Sequence, residues 1–191
     1  AVPWRGTWSG EQGGAGLGHA IHNHDLLTHI MGPVADVSAM TATRVNPIET
    51  EDCATLTFRL EGGALATSSV TLGAATDETR IRFVFENLTA TSGTAPYAPG
   101  SVNWRFDARD PTRQQELDDL VANAPGEPAG FEGFLAEIAA ALSDKSNAAV
   151  TLAEGSASVE LVTAIYHAAR TGERTSLPLT TEHPLYEGWQ P

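Results

Sequence analysis

Four of the six histidines of this chain lie in the run Gly18-His19-Ala20-Ile21-His22-Asn23-His24-Asp25-Leu26-Leu27-Thr28-His29. Imidazole exchanges protons near neutral pH without any special environment, so acid/base chemistry is the first chemistry this run suggests. Ile21, Leu27, Ile30 and Met31 form an apolar stripe at helical spacing, and Gly32-Pro33 supply a stop, which predicts a helix ending at Met31. On that helix Gly18, His22, Asp25 and His29 follow one another at steps of four, three and four and share a face. His22 then stands within reach of a carboxylate that can orient its ring, with a glycine leaving open space one turn before it. His24 and Asn23 fall away from that face. A metal reading uses the same residues, with His22, Asp25 and His29 or the pair His19 and His22 as ligands. It is the weaker reading, because His22 and His24 point to different sides and no HExxH pattern or cysteine set accompanies them.

The elements that must hold this helix can be read outward from it. Residues 1 to 12 read as a strand and loop, followed by the glycine-rich run Gly13-Gly14-Ala15-Gly16-Leu17-Gly18. That run is not a dinucleotide fingerprint: counting from Gly14 and Gly16, the third glycine position holds His19, and neither a hydrophobic parallel strand before it nor a βαβ unit after it is present. Beyond Pro33 the pattern turns to strands, at Val34 to Val45, Cys53 to Leu60, Ala64 to Leu72 and Thr79 to Glu86. In the second of these Ala54, Leu56, Phe58 and Leu60 alternate with Thr55, Thr57 and Arg59, the mark of a sheet with one packed and one polar face. Glu61-Gly62-Gly63 makes the hairpin turn.

A long irregular loop spans Ser92 to Ser101, and a further strand is expected over Val102 to Phe106. Asp110-Pro111 opens a short polar helix through Val121. Phe131, Phe134, Leu135, Ile138 and Leu142 recur at three and four and predict an amphipathic helix. Thr151-Leu152-Ala153-Glu154 is a capping box, so a last helix is expected from there to Arg170, with Gly172 just past its end. His167 on it reads as a packing or surface residue. Ser176 to Leu179 reads as a final strand and His183 to Pro191 as an aromatic tail. The order predicts an α+β domain, an open and mainly antiparallel sheet with helices on one face.

Composition bounds the function. The chain has 191 residues, 41% of them hydrophobic, enough for one domain with a real core. Lys+Arg number 11 against 24 Asp+Glu, a formal net charge of -13 with no basic cluster, which argues against nucleic acid and anionic membranes as partners. Cys53 is the single cysteine, so no internal disulfide can form, and it reads as core filler in a strand. No apolar run of spanning length and no leader pattern are seen, so the expected compartment is the cytoplasm. The opening Trp4-Arg5-Gly6-Thr7-Trp8 reads as the middle of a structured element, which suggests that the chain is a fragment.

The residues also carry a resemblance. Trp4-Arg5-Gly6-Thr7-Trp8, Gly13-Gly14, His22-Asn23-His24-Asp25-Leu26 and Gly32-Pro33-Val34 look like the start of the C-terminal domain of the Gfo/Idh/MocA oxidoreductases. The likeness continues through Thr41-Ala42-Thr43-Arg44, Glu51-Asp52-Cys53-Ala54, Gly62-Gly63-Ala64-Leu65, Leu177-Pro178-Leu179 and His183-Pro184-Leu185-Tyr186, nearly the whole chain. It implies a two-domain protein whose N-terminal Rossmann domain, absent here, holds NAD or NADP and carries the family's active-site lysine, with 1–191 as its single substrate-binding and oligomerisation domain. It implies that His22 moves the proton accompanying hydride transfer, with Asp25 three positions behind it. Many members place an aspartate four residues before the histidine; this chain has Gly18 there, and His19 is a candidate substitute. Arg5, Trp8 and His19 are candidate contacts for a hydroxyl-rich substrate: a sugar, a cyclitol, an amino sugar or a small diol.

On this reading the 191 residues alone are inactive, because nothing in them cradles the nicotinamide. The alternative is a non-catalytic binding or oligomerisation module of the same fold, in which the missing aspartate marks lost chemistry. A sheet face left bare by the helices predicts a homo-oligomer.

Overall fold

The computed structural model describes residues 4–96, 103–126, 130–143, 145, 148–189 and 191. The chain divides into two compact units, residues 1–75 with 151–191 and residues 76–150.

The first unit is built on a four-stranded sheet in the order β3-β2-β1-β7, every neighbouring pair antiparallel. The strands are β1 (Val34–Ala42), β2 (Cys53–Leu60), β3 (Leu65–Thr71) and β7 (Thr175–Ser176). In β2 the predicted alternation is realised: Ala54, Leu56, Phe58 and Leu60 are buried, while Thr55, Thr57 and Arg59 face solvent. The helix α5 (Leu152–Thr171) lays Leu161, Ala164, Ile165 and Ala168 on the same face as Val37, Leu56 and Phe58. Leu27 and Met31 of α2 (Ile21–Met31) join that cluster from one side. Each fully buried Leu, Ile or Phe here contributes roughly 1.5–3 kcal/mol relative to exposure, so the sheet and α5 are the anchor of this unit. On the opposite sheet face Ser38, Met40, Thr55, Thr57, Arg59 and Leu65 are exposed.

Local chemistry sets the helix ends. Thr151 and Glu154 form the expected capping box, and α5 stops at Gly172, whose φ of 71° suits a residue without a side chain. Gly32, with φ 89°, ends α2. Residues 1 to 12 differ from expectation: no strand forms among the described ones. The short helix α1 (Trp8–Glu11) is there instead, because Thr7 Oγ1 accepts the Gly10 N–H and caps a turn that strand reasoning cannot see.

The second unit holds a three-stranded antiparallel sheet, β4 (Arg82–Val84), β5 (Leu88–Thr91) and β6 (Arg105–Ala108), in that order. Phe83 is its buried centre and stacks on Trp104 at 5.9 Å. The expected strand over Thr79 to Glu86 shrinks to three residues, β5 was not expected, and the strand expected over Val102 to Phe106 begins at Arg105. Asp110 caps the turn leading into α3 (Gln114–Ala122), as its Asp-Pro signal predicts. The helix α4 (Gly130–Ala141) forms as expected, yet Phe131, Phe134 and Leu135 on it are exposed. The open sheet foreseen as one is therefore two separate ladders among the described residues: α+β and antiparallel as expected, but not continuous.

Candidate functional site

The glycine run forms its own structure before the histidine helix begins. Gly14 N–H is shared between both carboxylate oxygens of Glu51, at 3.2 and 3.1 Å, and Gly16 N–H donates to Oε1 at 2.9 Å. Between them, Ala15 N–H donates to the Glu51 carbonyl at 2.8 Å. The Tyr166 hydroxyl, from α5, donates to the same Oε1 at 2.9 Å. Burial, and beside it the Glu51 carboxylate, push the Tyr166 phenol well above its ordinary range, so it remains a donor. A Cβ on Gly14 would lie 1.8 Å from the Glu51 carbonyl oxygen, and one on Gly13 would lie 2.4 Å from the Tyr166 hydroxyl. These two positions are glycine because backbone and phenol occupy the space a side chain would need.

This arrangement also gives the physical reason the run does not fit the phosphates of NAD or NADP. A phosphate loop offers free backbone N–H groups, and here a buried carboxylate already takes them.

From Gly16 the chain enters a π-turn, Gly16–Ala20, and continues without a break into α2. The wider turn stretches the regular spacing expected between Gly18 and His22. Such turns within helices are common at functional sites. His22 stands exposed on α2, with Asp25 and His29 exposed on the same helix. Asp25, expected to orient His22, accepts a hydrogen bond from Ser158 Oγ of α5 at 2.8 Å and so ties one helix to the other. Gly18 leaves open space: the atom nearest a Cβ built there is Glu11 Oε1, at 3.8 Å. His19 lies half-buried in the π-turn.

His24 has a different character from its neighbours. It is 3% exposed, sits edge-to-face on Phe58 at 5.1 Å, and its Nε2 lies 3.0 Å from Ser68 Oγ. Burial lowers its pKa from 6.5 to about 4, so it is a neutral core histidine at physiological pH.

Of the expected substrate contacts, Arg5 is exposed, 3.9 Å from Glu11 and over the Trp4 ring. Trp8 packs edge-on against Tyr166 and under the Arg170 guanidinium. It lines a cleft of about 240 Å³ together with Thr41, Thr43, Glu49, Tyr166 and Arg170. Among the described residues, no group of three or more His, Cys, Asp or Glu is placed to hold a metal ion, and no helix is long and apolar enough to cross a membrane. The residues that sequence reasoning missed are Glu51 and Tyr166. In the sequence Glu51 stands out only within the motif Glu51-Asp52-Cys53-Ala54, and the one signal that could have revealed its role is the run of glycine N–H groups needing an acceptor.

Fold and helix together define an antiparallel α+β domain. Residues 1–91 match the GFO/IDH/MocA C-terminal domain model, so this part of the chain is similar to the C-terminal domain of that family. The WlbA dehydrogenase from Chromobacterium violaceum, solved in complex with NADH and UDP-GlcNAcA, is 30% identical with a TM-score of 0.76, over 94% of this chain and 50% of that one. WlbA from Bordetella pertussis, in complex with the same two ligands, is 28% identical with a TM-score of 0.72 and the same coverage. Aldose-aldose oxidoreductase from Caulobacter crescentus shares the fold at 18% identity, with a TM-score of 0.70, 92% of this chain and 51% of that one. The chain thus spans about half the length of these solved structures. None of the curated proteins matches it.

Proposed function

We propose that the chain is the substrate-binding domain of an NAD(P)-dependent oxidoreductase acting on a sugar, cyclitol or related polyol, and that it works with a nucleotide-binding Rossmann domain. The observation that carries this reading is His22: an exposed imidazole on a helix whose preceding glycine run is held by Glu51 and by Tyr166 of α5. His22 takes the hydroxyl proton of the substrate as the alcohol carbon is oxidised, and returns it in the reverse direction. NAD or NADP, held by the nucleotide-binding domain, supplies the hydride acceptor. Asp25 acts behind His22 by fixing α2 to α5, and Arg5, Trp8 and His19 are the side chains proposed to meet substrate hydroxyls.

The two WlbA structures support a sugar-nucleotide substrate as the first to try, since their domains of this kind are the most similar in sequence among the structures compared above. The single cysteine and the acidic charge fit a cytoplasmic enzyme. The bare sheet face supports pairing of copies through it.

The test uses the two-domain protein with NAD+ or NADP+ and a panel of nucleotide-linked sugar acids, free aldoses and cyclitols. His22→Ala is expected to lower kcat by about 10²–10⁴, the range of a lost general acid or base. Full activity of that variant would overturn the role of His22 and favour the non-catalytic reading. Turnover by the 191-residue chain alone would overturn the need for a second domain.

A further inference from the structure

We propose that Glu51 is a positioning residue for His22, acting through the backbone of the glycine run and resting, for its catalytic consequence, on the reading above. The side chain is 4% exposed, and all its partners described above are neutral donors: two amides and a phenol. A carboxylate withdrawn from water with only neutral donors on its oxygens among the described residues is a costly way to gain stability, and an apolar residue would fill the same space more cheaply. What an apolar residue would not do is gather the N–H groups of Gly14 and Gly16 onto one side chain beside the Ala15 N–H that the Glu51 carbonyl already takes.

Those three amides lie at the entrance to the π-turn, where the orphan donors of a helix N-terminus collect and a negative charge is favoured. By holding them, Glu51 fixes both the height and the rotation of the helix that follows. His22 lies six residues beyond Gly16, about 9 Å along the axis, so a small tilt at the clamp displaces the imidazole measurably. Tyr166 secures the carboxylate from the other side and links the clamp to α5. The glycines complete the device, since a Cβ at Gly14 would drive the Glu51 carbonyl away.

The experiment compares the unmodified protein with Glu51→Gln, which keeps the shape but removes the charge and replaces one acceptor oxygen with an amide NH2 donor. Amide hydrogen exchange on the chain is read first. Exchange at Gly14 and Gly16 and through His19 to His22 is expected to quicken by about tenfold or more, while the β1 and β2 amides keep their rates. Unchanged exchange at the run, or equal acceleration across the sheet, would overturn the proposal. The two-domain enzyme gives the second reading. Here kcat is expected to fall by about tenfold or more with KM within about twofold, as expected when only the geometry of a reacting group is lost. A raised KM with unchanged kcat would overturn it, and Tyr166→Phe should give a smaller change of the same kind. Absence of turnover in the unmodified enzyme would count against the proposed function and not against Glu51, because the exchange measurement needs no substrate.

Discussion

Among the four clustered histidines, environment separates two side chains of identical chemistry that stand only two residues apart. His22 is solvated on α2, whereas His24 is packed on Phe58 and kept neutral by burial. His24 therefore makes stability depend on pH. Its folded pKa of about 4 lies below the unfolded value of about 6.5, so the neutral form is favoured by folding and the stabilisation is fully present above pH 6.5. It is lost as pH falls from there toward 4. Between pH 7 and pH 5 the loss amounts to about 2 kcal/mol from this residue alone. Urea unfolding at the two pH values checks this: His24→Gln should flatten the difference, and an unchanged slope would show that other groups carry it. The helical pattern indicated that His24 leaves the His22 face, but that its own face is the buried one depended on where β2 and β3 lie.

At the scale of elements, the signals that held were those whose partners sit within a few residues. The capping box of Thr151 and Glu154, the glycine stops at Gly32 and Gly172 and the Asp110 cap all form as their spacing predicts. Thr151→Ala should therefore cost about 1 kcal/mol, the usual loss for a hydroxyl N-cap, read as a shift in urea midpoint without a change in slope. Signals failed where a longer-range partner decides. The segment before Gly13 forms α1 and not a strand, β4 stops after three residues, and the exposed Phe131 and Leu135 of α4 show that amphipathic spacing alone does not bury a face. The clamp of Glu51 belongs here too. Its donors are 35 and 37 residues away along the chain, and Tyr166 is 115 away, beyond the reach of any local pattern.

At the scale of the whole molecule, the four-stranded sheet leaves one face uncovered, with Met40 72% and Leu65 80% exposed among threonines and serines. Two large apolar side chains on an otherwise polar sheet suit a surface that pairs with a second copy. Replacing both, Met40→Glu with Leu65→Glu, should lower the mass of the assembled protein in sedimentation equilibrium while leaving the fold intact by circular dichroism. An unchanged mass would remove the sheet face from the interface. The oligomer called for by the proposed function is in this way tested apart from its chemistry.

The sequence by itself determined the α+β class, the alternation of β2 and the ends of α2 and α5, because each rests on period, caps or turn residues that act locally. It also brought out His22, since a histidine and an aspartate at helical spacing mark a face wherever the helix lies. Only the tertiary structure decided that the strands form two ladders, that Asp25 bonds to Ser158, that His24 is inside, and that the glycines surround a buried carboxylate. Each of these joins residues far apart in the chain. Such partners are chosen by packing, where the desolvation of a group and the space left by its neighbours outweigh the preference of any short segment.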